Sequence, residues 1–143
     1  MKANQRYVLA EEAVRIVRSG DRVFIHGSAA TPAQLVKAMQ NRYRELGNVE
    51  LVSITTLGDV DFDSPEYRKS FFYNSLFVSA VTRKVANSDS GDYIPIFLSE
   101  IPRLFKENRL PLDVAMIQVS PPDVHGYCSL GTSVDIAVAA VNA

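Results

Sequence analysis

A glycine-containing loop near the N-terminus has the residues best suited to hold a small anion. Residues 26–31 read HGSAAT, in which Gly27 lets the backbone approach a ligand and small side chains leave room for it. Thr31 as the N-cap, followed by Pro32 in the first turn, then predicts the start of a helix. The free N–H groups and positive dipole end of that helix favour a carboxylate or phosphate. The loop alone fits a plain strand-to-helix turn better, since it lacks the later glycines of a dinucleotide fingerprint and the Gly-Lys-Ser/Thr of a P-loop.

Two further loops have polar or rigid residues after apolar runs. Thr55 and Thr56 follow the run 49–54, and their hydroxyls could hold a substrate oxygen or only cap a turn. Residues 120–131, SPPDVHGYCSLG, contain two prolines and two glycines. A long connection with so many rigid and turn-forming residues is often functional rather than a mere connector.

Metal and nucleophile chemistry fit the remaining candidates less well. The two histidines and the single cysteine are too widely spaced for a paired set of metal ligands, so we expect no metal site. His125 and Cys128 lie close enough in sequence for a nucleophile pair, but a buried structural cysteine is the more frequent case. Asp59, Asp61 and Asp63 alternate as calcium ligands do. The glycine and glutamate of an EF-hand loop are missing, however, which favours solvated turn residues.

Strand and helix patterns alternate along the chain and position these loops. Runs of strand type occur at 23–25, 49–54, 76–78 and 114–119. Pro95, within the apolar stretch 93–98, indicates an edge strand or a short strand. Segments of helical spacing between the runs imply βαβ units, so we predict an α/β fold with a mostly parallel sheet and helices on both faces. Such sheets bind ligands beyond the carboxyl ends of their strands, which selects the three loops above.

Length and composition describe an ordinary globular domain. The chain has 143 residues, of which 47% are hydrophobic and 22% charged, so we predict one domain over 1–143. The net charge of −1 gives no electrostatic reason to bind nucleic acid, and no apolar run reaches the length of a membrane span. We therefore expect neither partner. The single cysteine excludes an internal disulfide, and we expect a cytoplasmic protein.

The C-terminal segment is apolar on almost every side. Val134, Ile136, Val138 and Val141 are interleaved with alanines. A helix of this kind is normally buried on more than one face. It either packs into the core of this domain or marks a chain that ends where a second domain should begin, and we favour the second interpretation.

Three sequence motifs, in this order, resemble one enzyme family. They are Gly-Ser-x-x-x-Pro (27–32), Asp-Tyr-Ile-Pro-Ile-Phe-Leu-Ser-Glu-Ile-Pro (92–102) and Val-Ser-Pro-Pro-Asp-x-His-Gly-Tyr-Cys-Ser-Leu-Gly-Thr-Ser-Val-Asp (119–135). Their order and the long last motif resemble the acetyl-CoA hydrolase/transferase family over nearly the whole chain. That family includes acetate, butyrate and 4-hydroxybutyrate CoA-transferases, and the 4-hydroxybutyrate enzymes are the members that the motifs resemble most.

The resemblance implies a two-domain α/β enzyme in which this chain is the N-terminal half and the C-terminal catalytic domain is absent. A glutamate would attack the acyl-CoA thioester and then take up CoA as a glutamyl-CoA thioester, which passes CoA to a short-chain carboxylate. That glutamate belongs to the C-terminal half, so the resemblance places no catalytic residue in this chain, Glu100 included. CoA would be a substrate, with no cofactor bound permanently. The partners would be the acyl-CoA, the acid, the C-terminal domain and further copies of the enzyme.

The resemblance also assigns to this half part of the acid pocket, built from the three loops. The residues that we expect to line the pocket are Gly27, Ser28, Thr55, Thr56, Pro121 and Gly126. Two other functions stay open. One is an acyl-CoA hydrolase of the same family, with water as the acceptor, and the other is a stand-alone module that binds a small carboxylate.

Overall fold

Short strands and short helices alternate along the chain in the computed structural model, which describes residues 7–58 and 60–143. Asp59, of the acidic turn considered for calcium, lies outside the described residues. The strands are β1 (Arg22–Ile25), β2 (Val49–Ser53), β3 (Phe71–Ser75), β4 (Gly91–Tyr93) and β5 (Val114–Met116). The helices are α1 (Ala10–Ala13), α2 (Ala33–Gln40), α3 (Arg83–Ala86), α4 (Ile101–Lys106) and α5 (Ala137–Val141). Turns of 3-10 helix occupy Val14–Ile16, Ser28–Ala30, Pro65–Tyr67 and Leu98–Glu100.

The five strands form one parallel sheet in the order β4-β3-β2-β1-β5. Because adjacent side chains of a strand point to opposite faces, β1 buries Val23 and Ile25 on one side of the sheet and Phe24 on the other. The first side packs against α2 and α3, with Val36 among the contacts, and the second against α4 and α5, with Phe105. These two apolar clusters confirm the predicted α/β fold with helices on both faces.

The third strand lies just before the stretch that the apolar pattern favours. The run 76–78 predicts a strand, which is wrong, because β3 is Phe71–Ser75 and pairs in register with Val49–Ser53. Asn74 interrupts the apolar pattern of β3, so a search for apolar runs misses it. Beyond the strand the chain leaves the sheet, and Phe77 is 59% exposed.

Strand β4 lies at the edge of the sheet, and its outer side is blocked. Pro95 predicts an edge strand, and this is confirmed, although β4 ends at Tyr93 instead of continuing to residue 98. The Ile94 N–H points inward and donates to Ser75 O at 2.9 Å. By alternation the Tyr93 N–H points outward, where Asp92 Oδ1 accepts it at 2.7 Å, and Pro95 has no N–H. At these two positions no outward donor is left for another strand.

The apolar C-terminal segment buries one of its faces within the described chain. Ile136, Ala137 and Ala140 pack in the cluster that contains α4. The opposite face is left 42%, 50% and 51% exposed at Val134, Val138 and Val141. None of the helices in the described ranges has the length and apolar character that a bilayer crossing requires.

A network of buried hydroxyls lies where β2 and β3 end. The Thr56 hydroxyl shares a hydrogen bond with Tyr73 OH and donates to Ser53 Oγ at 3.2 Å. Tyr73 is only 1% exposed. Burial raises the pKa of its phenol above the ordinary value, although the hydrogen bonds with Thr56 and Ser53 act in the opposite direction.

The raised pKa of Tyr73 makes the fold sensitive to alkali. The folded state holds the phenol proton more tightly than the unfolded chain does, whose tyrosines titrate at about 10. The stability due to this group is therefore fully present below about pH 10 and is lost as the pH rises through the raised pKa. We expect urea unfolding between about pH 8 and about pH 11 to show a shallower alkaline loss for Tyr73→Phe than for the wild type. Tyr127→Phe, at a side chain that is 73% exposed, is the control and should keep the wild-type slope.

Gly91 lies where α3 turns tightly into β4. A β-carbon at this position would be 2.6 Å from Val85 O and 2.8 Å from Tyr73 O, both of them backbone atoms. Gly91→Ala must push the two elements apart, so we expect it to lower the free energy of unfolding by about 1–3 kcal/mol. Gly47→Ala is the matched control, because its β-carbon would meet no atom closer than Lys69 O at 3.9 Å. Equal urea midpoints for the two variants would contradict this close approach.

Candidate functional site

The strand order places a crevice between β1 and β5. From β1 to β4 the chain moves in one direction across the sheet, and β5 then returns to the opposite side of β1. The helix after β1 packs on one face and the helix after β5 on the other, so the two intervening loops diverge at the carboxyl edge. Open parallel sheets bind their ligands at such a point. Here a cavity of about 270 Å³, which we call the crevice, is lined by Ala29 and Ala30 from one loop and by 118–120 and 129–132 from the other.

The loops after β1 and β2 meet in a tight backbone contact, which we call the seam. The Ser28 N–H donates to Thr55 O at 2.6 Å. A β-carbon on Gly27 would lie 3.0 Å from Thr55 O and 3.4 Å from Thr55 N, which is tighter than ordinary contact. Any other residue at position 27 would require the neighbouring loop to shift by a few tenths of an ångström, so glycine permits this close approach of the two loops. The sequence predicts the approach of a ligand at this glycine, and the contact with Thr55 is a second reason for it.

Thr31 closes the seam instead of capping a helix. The sequence predicts it as the N-cap of α2, which is wrong, because the N-cap is Pro32 and no side chain caps that helix. The Thr31 hydroxyl donates to Ser28 O at 2.9 Å and accepts the Leu57 N–H at 3.1 Å. The N–H groups of Ser28, Ala30 and Thr31 all donate within the protein. The loop thus offers fewer free N–H donors than the sequence indicates.

The backbones of Ser28 and Thr55 are hydrogen-bonded to each other, whereas their side-chain hydroxyls have no partner among the described residues. Ser28 has a φ of +52°, in the left-handed region that glycine adopts more easily than other residues. Its N–H and carbonyl are both bonded, yet its hydroxyl and that of Thr55 make no hydrogen bond with any residue that the structure describes. A strained residue held by its surroundings is a frequent mark of a binding site. Among the predicted site residues, these two have side-chain hydroxyls that are left without a hydrogen-bond partner in the described chain.

Thr56, the next residue, faces the other way. Its side chain is completely buried and its hydroxyl belongs to the network with Tyr73 and Ser53. Its carbonyl accepts a hydrogen bond from Ser79 Oγ at 3.4 Å. Thr56 therefore supports the loop from beneath, and its hydroxyl is directed away from the Ser28 side of the seam.

The loop after β5 forms a hairpin, defined here as residues 120–129. The Ser120 N–H donates to Ser129 O, and the Asp123 N–H to Tyr127 O, each at 2.9 Å. Asp123 Oδ1 also accepts the Tyr127 N–H at 2.9 Å, which closes the tip. Gly126, with a φ of +85°, supplies the left-handed residue that this turn requires. The sequence indicates a rigid loop here but does not reveal the pairing.

The six predicted pocket residues fall into three groups. Gly27, Ser28 and Thr55 meet at the seam, and Thr56 lies beneath it. Pro121 and Gly126 belong to the hairpin, and within the described chain no hydrogen bond joins either of them to the seam. Pro121 follows Ser120, which lines the crevice, whereas Gly126 lies at the far tip.

The cysteine and the acidic side chains form no centre of their own in the part of the chain that the structure covers. Cys128 is exposed, so the expectation of a buried structural cysteine is wrong. Among the described residues, no three side chains of the His, Cys, Asp or Glu types cluster closely enough to hold a metal ion.

His26 is the functional candidate that the sequence does not single out. Its side chain is completely buried at the end of β1. Ring atom Nδ1 accepts the Gln118 N–H at 3.2 Å, and Nε2 bonds with the carbonyl of Ser133. A polar residue that directly continues the buried run 23–25 is the only sequence signal for this role.

Comparison with known proteins identifies the family. The family model for the acetyl-CoA hydrolase/transferase N-terminal domain matches residues 2–143. A succinyl-CoA:acetate/propanoyl-CoA:succinate CoA transferase of Fasciola hepatica is 43% identical over 133 residues, which are 92% of this chain and 27% of that protein. A 4-hydroxybutyrate coenzyme A transferase of Clostridium kluyveri is 40% identical over 131 residues, 92% of this chain and 30% of that one.

Solved structures have the same fold. RipA from Yersinia pestis superposes with a TM-score of 0.77 at 31% identity, covering 87% of this chain and 31% of its own. A 4-hydroxybutyrate CoA-transferase from Porphyromonas gingivalis gives a TM-score of 0.73 at 29% identity, covering 94% of this chain and 30% of its own. The chain spans less than a third of the length of these relatives. The predicted family is confirmed, and the chain belongs to the acetyl-CoA hydrolase/transferase family, whose N-terminal domain it matches.

Proposed function

We propose that this chain is the N-terminal part of a CoA-transferase, which moves coenzyme A between an acyl-CoA and a short-chain carboxylate. The observation that carries the proposal is the seam, where two hydroxyls without a partner among the described residues stand on loops joined by a 2.6 Å backbone hydrogen bond. Hydroxyls fixed in this way suit the oxygens of a carboxylate or of a thioester carbonyl. The names of the relatives, which are CoA transferases, support the same reaction class.

The proposed reaction exchanges CoA through a covalent intermediate on a glutamate outside this chain. The glutamate carboxylate attacks the thioester carbonyl and expels the CoA thiolate, leaving an acyl-glutamyl anhydride. The thiolate then attacks the glutamyl carbonyl, which releases the first acid and leaves a glutamyl-CoA thioester. The acceptor carboxylate repeats the two steps in reverse and departs as the new acyl-CoA. Dividing the exchange in this way replaces one difficult step with easier ones.

Within that reaction, this chain would bind and orient the acid. Ser28 and Thr55 would donate their hydroxyl hydrogens to acid or oxyanion oxygens, and Gly27 would hold the two loops at a fixed spacing. Positioning of this kind lowers the entropic part of the barrier. Thr56 would keep the loop in place, and Pro121 would shape the wall next to the crevice.

The substrate class and the wider setting of the enzyme are part of the same proposal. Their names include acetate, butyrate, succinate and 4-hydroxybutyrate, so we place the substrate among short-chain carboxylates. In this proposal CoA is a substrate and no cofactor is bound permanently. A C-terminal domain supplies the glutamate, and the enzyme acts in the cytoplasm as a homo-oligomer.

Acyl exchange tests the proposed reaction. Given butyryl-CoA and acetate, the full-length protein that contains this chain is expected to form acetyl-CoA. This chain alone is expected to form none, because the attacking glutamate lies outside it. Chromatography of the acyl-CoA species measures both results, and the intact mass of the full-length protein incubated with butyryl-CoA alone should increase by one bound CoA.

Two outcomes would replace this proposal. Equal turnover by this chain alone would show that its nucleophile lies within residues 1–143. Steady release of free CoA without any carboxylate acceptor would instead assign the hydrolase activity, in which water takes the place of the acid.

We expect the left-handed conformation of Ser28 to reduce the stability of the protein, and its hydroxyl to improve binding of the acid. Ser28→Gly relieves a left-handed conformation that disfavours other residues by about 1–2 kcal/mol, and loses about 0.5–1 kcal/mol through the flexibility of glycine. We expect a net gain in the free energy of unfolding of about 0.5–1 kcal/mol, together with a higher KM for the acid in the full-length protein. Ser28→Ala, which lacks the hydroxyl but keeps the strain, should raise KM without the gain. A wild-type KM in both variants would remove Ser28 from the pocket.

A further inference from the structure

We propose that His26 is a positioning residue for this site, which sets the spacing between the loop of Ser28 and the loop that leaves β5. The inference rests on the proposed function, because it concerns the shape of the same crevice. It adds a residue that neither the family motifs nor the pocket candidates include.

Both ring nitrogens of His26 form hydrogen bonds, and the ring is closed to solvent. Its side chain has 0% exposure. Since Nδ1 accepts the Gln118 N–H, the ring proton resides on Nε2 and is donated to the carbonyl of Ser133. His26 is therefore neutral in this arrangement, and no substrate can reach either nitrogen. A general base or a metal ligand would need one of them, so its part in the reaction must be indirect.

The two partners of the ring enclose the segment that forms one wall of the crevice. Gln118 lines the crevice itself, and Ser133 directly follows the lining residues 129–132. Gln118 precedes the hairpin and Ser133 follows it, so the ring of His26 forms a hydrogen bond near each end of the hairpin. The His26 N–H also donates to Met116 O at 2.9 Å, which extends the pairing of β1 with β5 up to the crevice.

The opposite wall begins at the next residue. Gly27 and Ser28 follow His26 without a break, and Ala29 and Ala30 line the crevice. Any shift of the ring therefore changes the gap between the wall formed by Ala29 and Ala30, which continues the loop of Ser28, and the wall formed by 118–120. Because β1 is buried on both faces, the ring has a rigid strand behind it.

Histidine can form both hydrogen bonds, with the Gln118 N–H and with the Ser133 carbonyl, through a single side chain. A planar ring with an acceptor on one side and a donor on the other bridges an N–H and a carbonyl that belong to different loops. An apolar replacement of similar size would remove the ring acceptor of the Gln118 N–H and the ring donor to the Ser133 carbonyl, so neither loop would stay bonded to β1 at this point. His26→Asn places an acceptor near the position of Nδ1, and His26→Gln places a donor near that of Nε2. Each of these variants therefore restores one bond.

Amide hydrogen exchange of this chain tests the proposed contacts directly. In the wild type the Gln118 amide should be protected, and nitrogen-15 spectra of the imidazole should show the neutral form with its proton on Nε2. His26→Phe should remove the protection of Gln118, whereas His26→Asn should retain it. If His26→Phe does not fold, the comparison of His26→Asn with His26→Gln, which has no acceptor at the position of Nδ1, gives the same information.

Kinetics of the full-length protein test the positioning role. We expect His26→Phe to lower kcat by on the order of 100-fold, the loss that a displacement of about 1 Å in a catalytic arrangement can cause. His26→Asn and His26→Gln should fall between it and the wild type. Gln40→Met is the matched control, because Gln40 is also buried and bonds a backbone carbonyl, that of Asp61, at 2.7 Å. It lies at the far end of α2, so its loss should reduce stability and leave kcat unchanged.

Three results would overturn the role of His26. The first is an unprotected Gln118 amide in the wild type, or equal protection in every variant. The second is an imidazole spectrum with the proton on Nδ1. The third is a kcat for His26→Phe no lower than that of Gln40→Met. Should the wild-type full-length protein show no exchange at all, the proposed function fails, and the amide protection still decides whether His26 fastens the two loops.

Discussion

The close approach of Gly27 to Thr55 is the constraint on which the arrangement of the site depends. No β-carbon fits at position 27 without displacing the backbone of the neighbouring loop. Once the loops are this close, the Ser28 N–H reaches Thr55 O, and Ser28 is held in the left-handed region. Thr31 then bonds to both loops. The ends of β1 and β2 are thus joined mainly through backbone atoms, so the backbone positions from which the hydroxyls of Ser28 and Thr55 project are fixed relative to each other.

Adjacent residues of one loop acquire opposite tasks in this structure. Thr55 and Thr56 look equivalent in the sequence, and both follow the same apolar run. In an extended chain consecutive side chains point in opposite directions, so one hydroxyl is left without a partner among the described residues and the other enters the core. The buried hydroxyl of Thr56 stabilises the loop through Tyr73, and only the three-dimensional arrangement assigns the two roles.

The sequence predicts what depends on local pattern and misses what depends on distant contacts. The α/β class, β1, β2 and the edge position of β4 follow from apolar runs and from Pro95. The position of β3 does not, because pairing with β2 selects Phe71–Ser75 over the more apolar residues beyond it. The anchoring by His26 is also unpredictable, since its partners lie 92 and 107 positions away along the chain. The family motifs indicate a reaction class, whereas the geometry separates hydroxyls without a hydrogen-bond partner among the described residues, those of Ser28 and Thr55, from the bonded hydroxyl of Thr56.

The blocked outer side of β4 restricts how copies of this chain can aggregate. Backbone pairing in fibrils requires free donors along an exposed strand, and β4 offers none at Tyr93 or Pro95. Among the described strands the opposite edge is β5, whose residues Val114–Met116 include no proline. Edge-to-edge pairing of native sheets would therefore join β5 of one copy to β5 of another. The resulting pair presents only β4 edges, so the assembly stops at two copies and does not grow into a fibril.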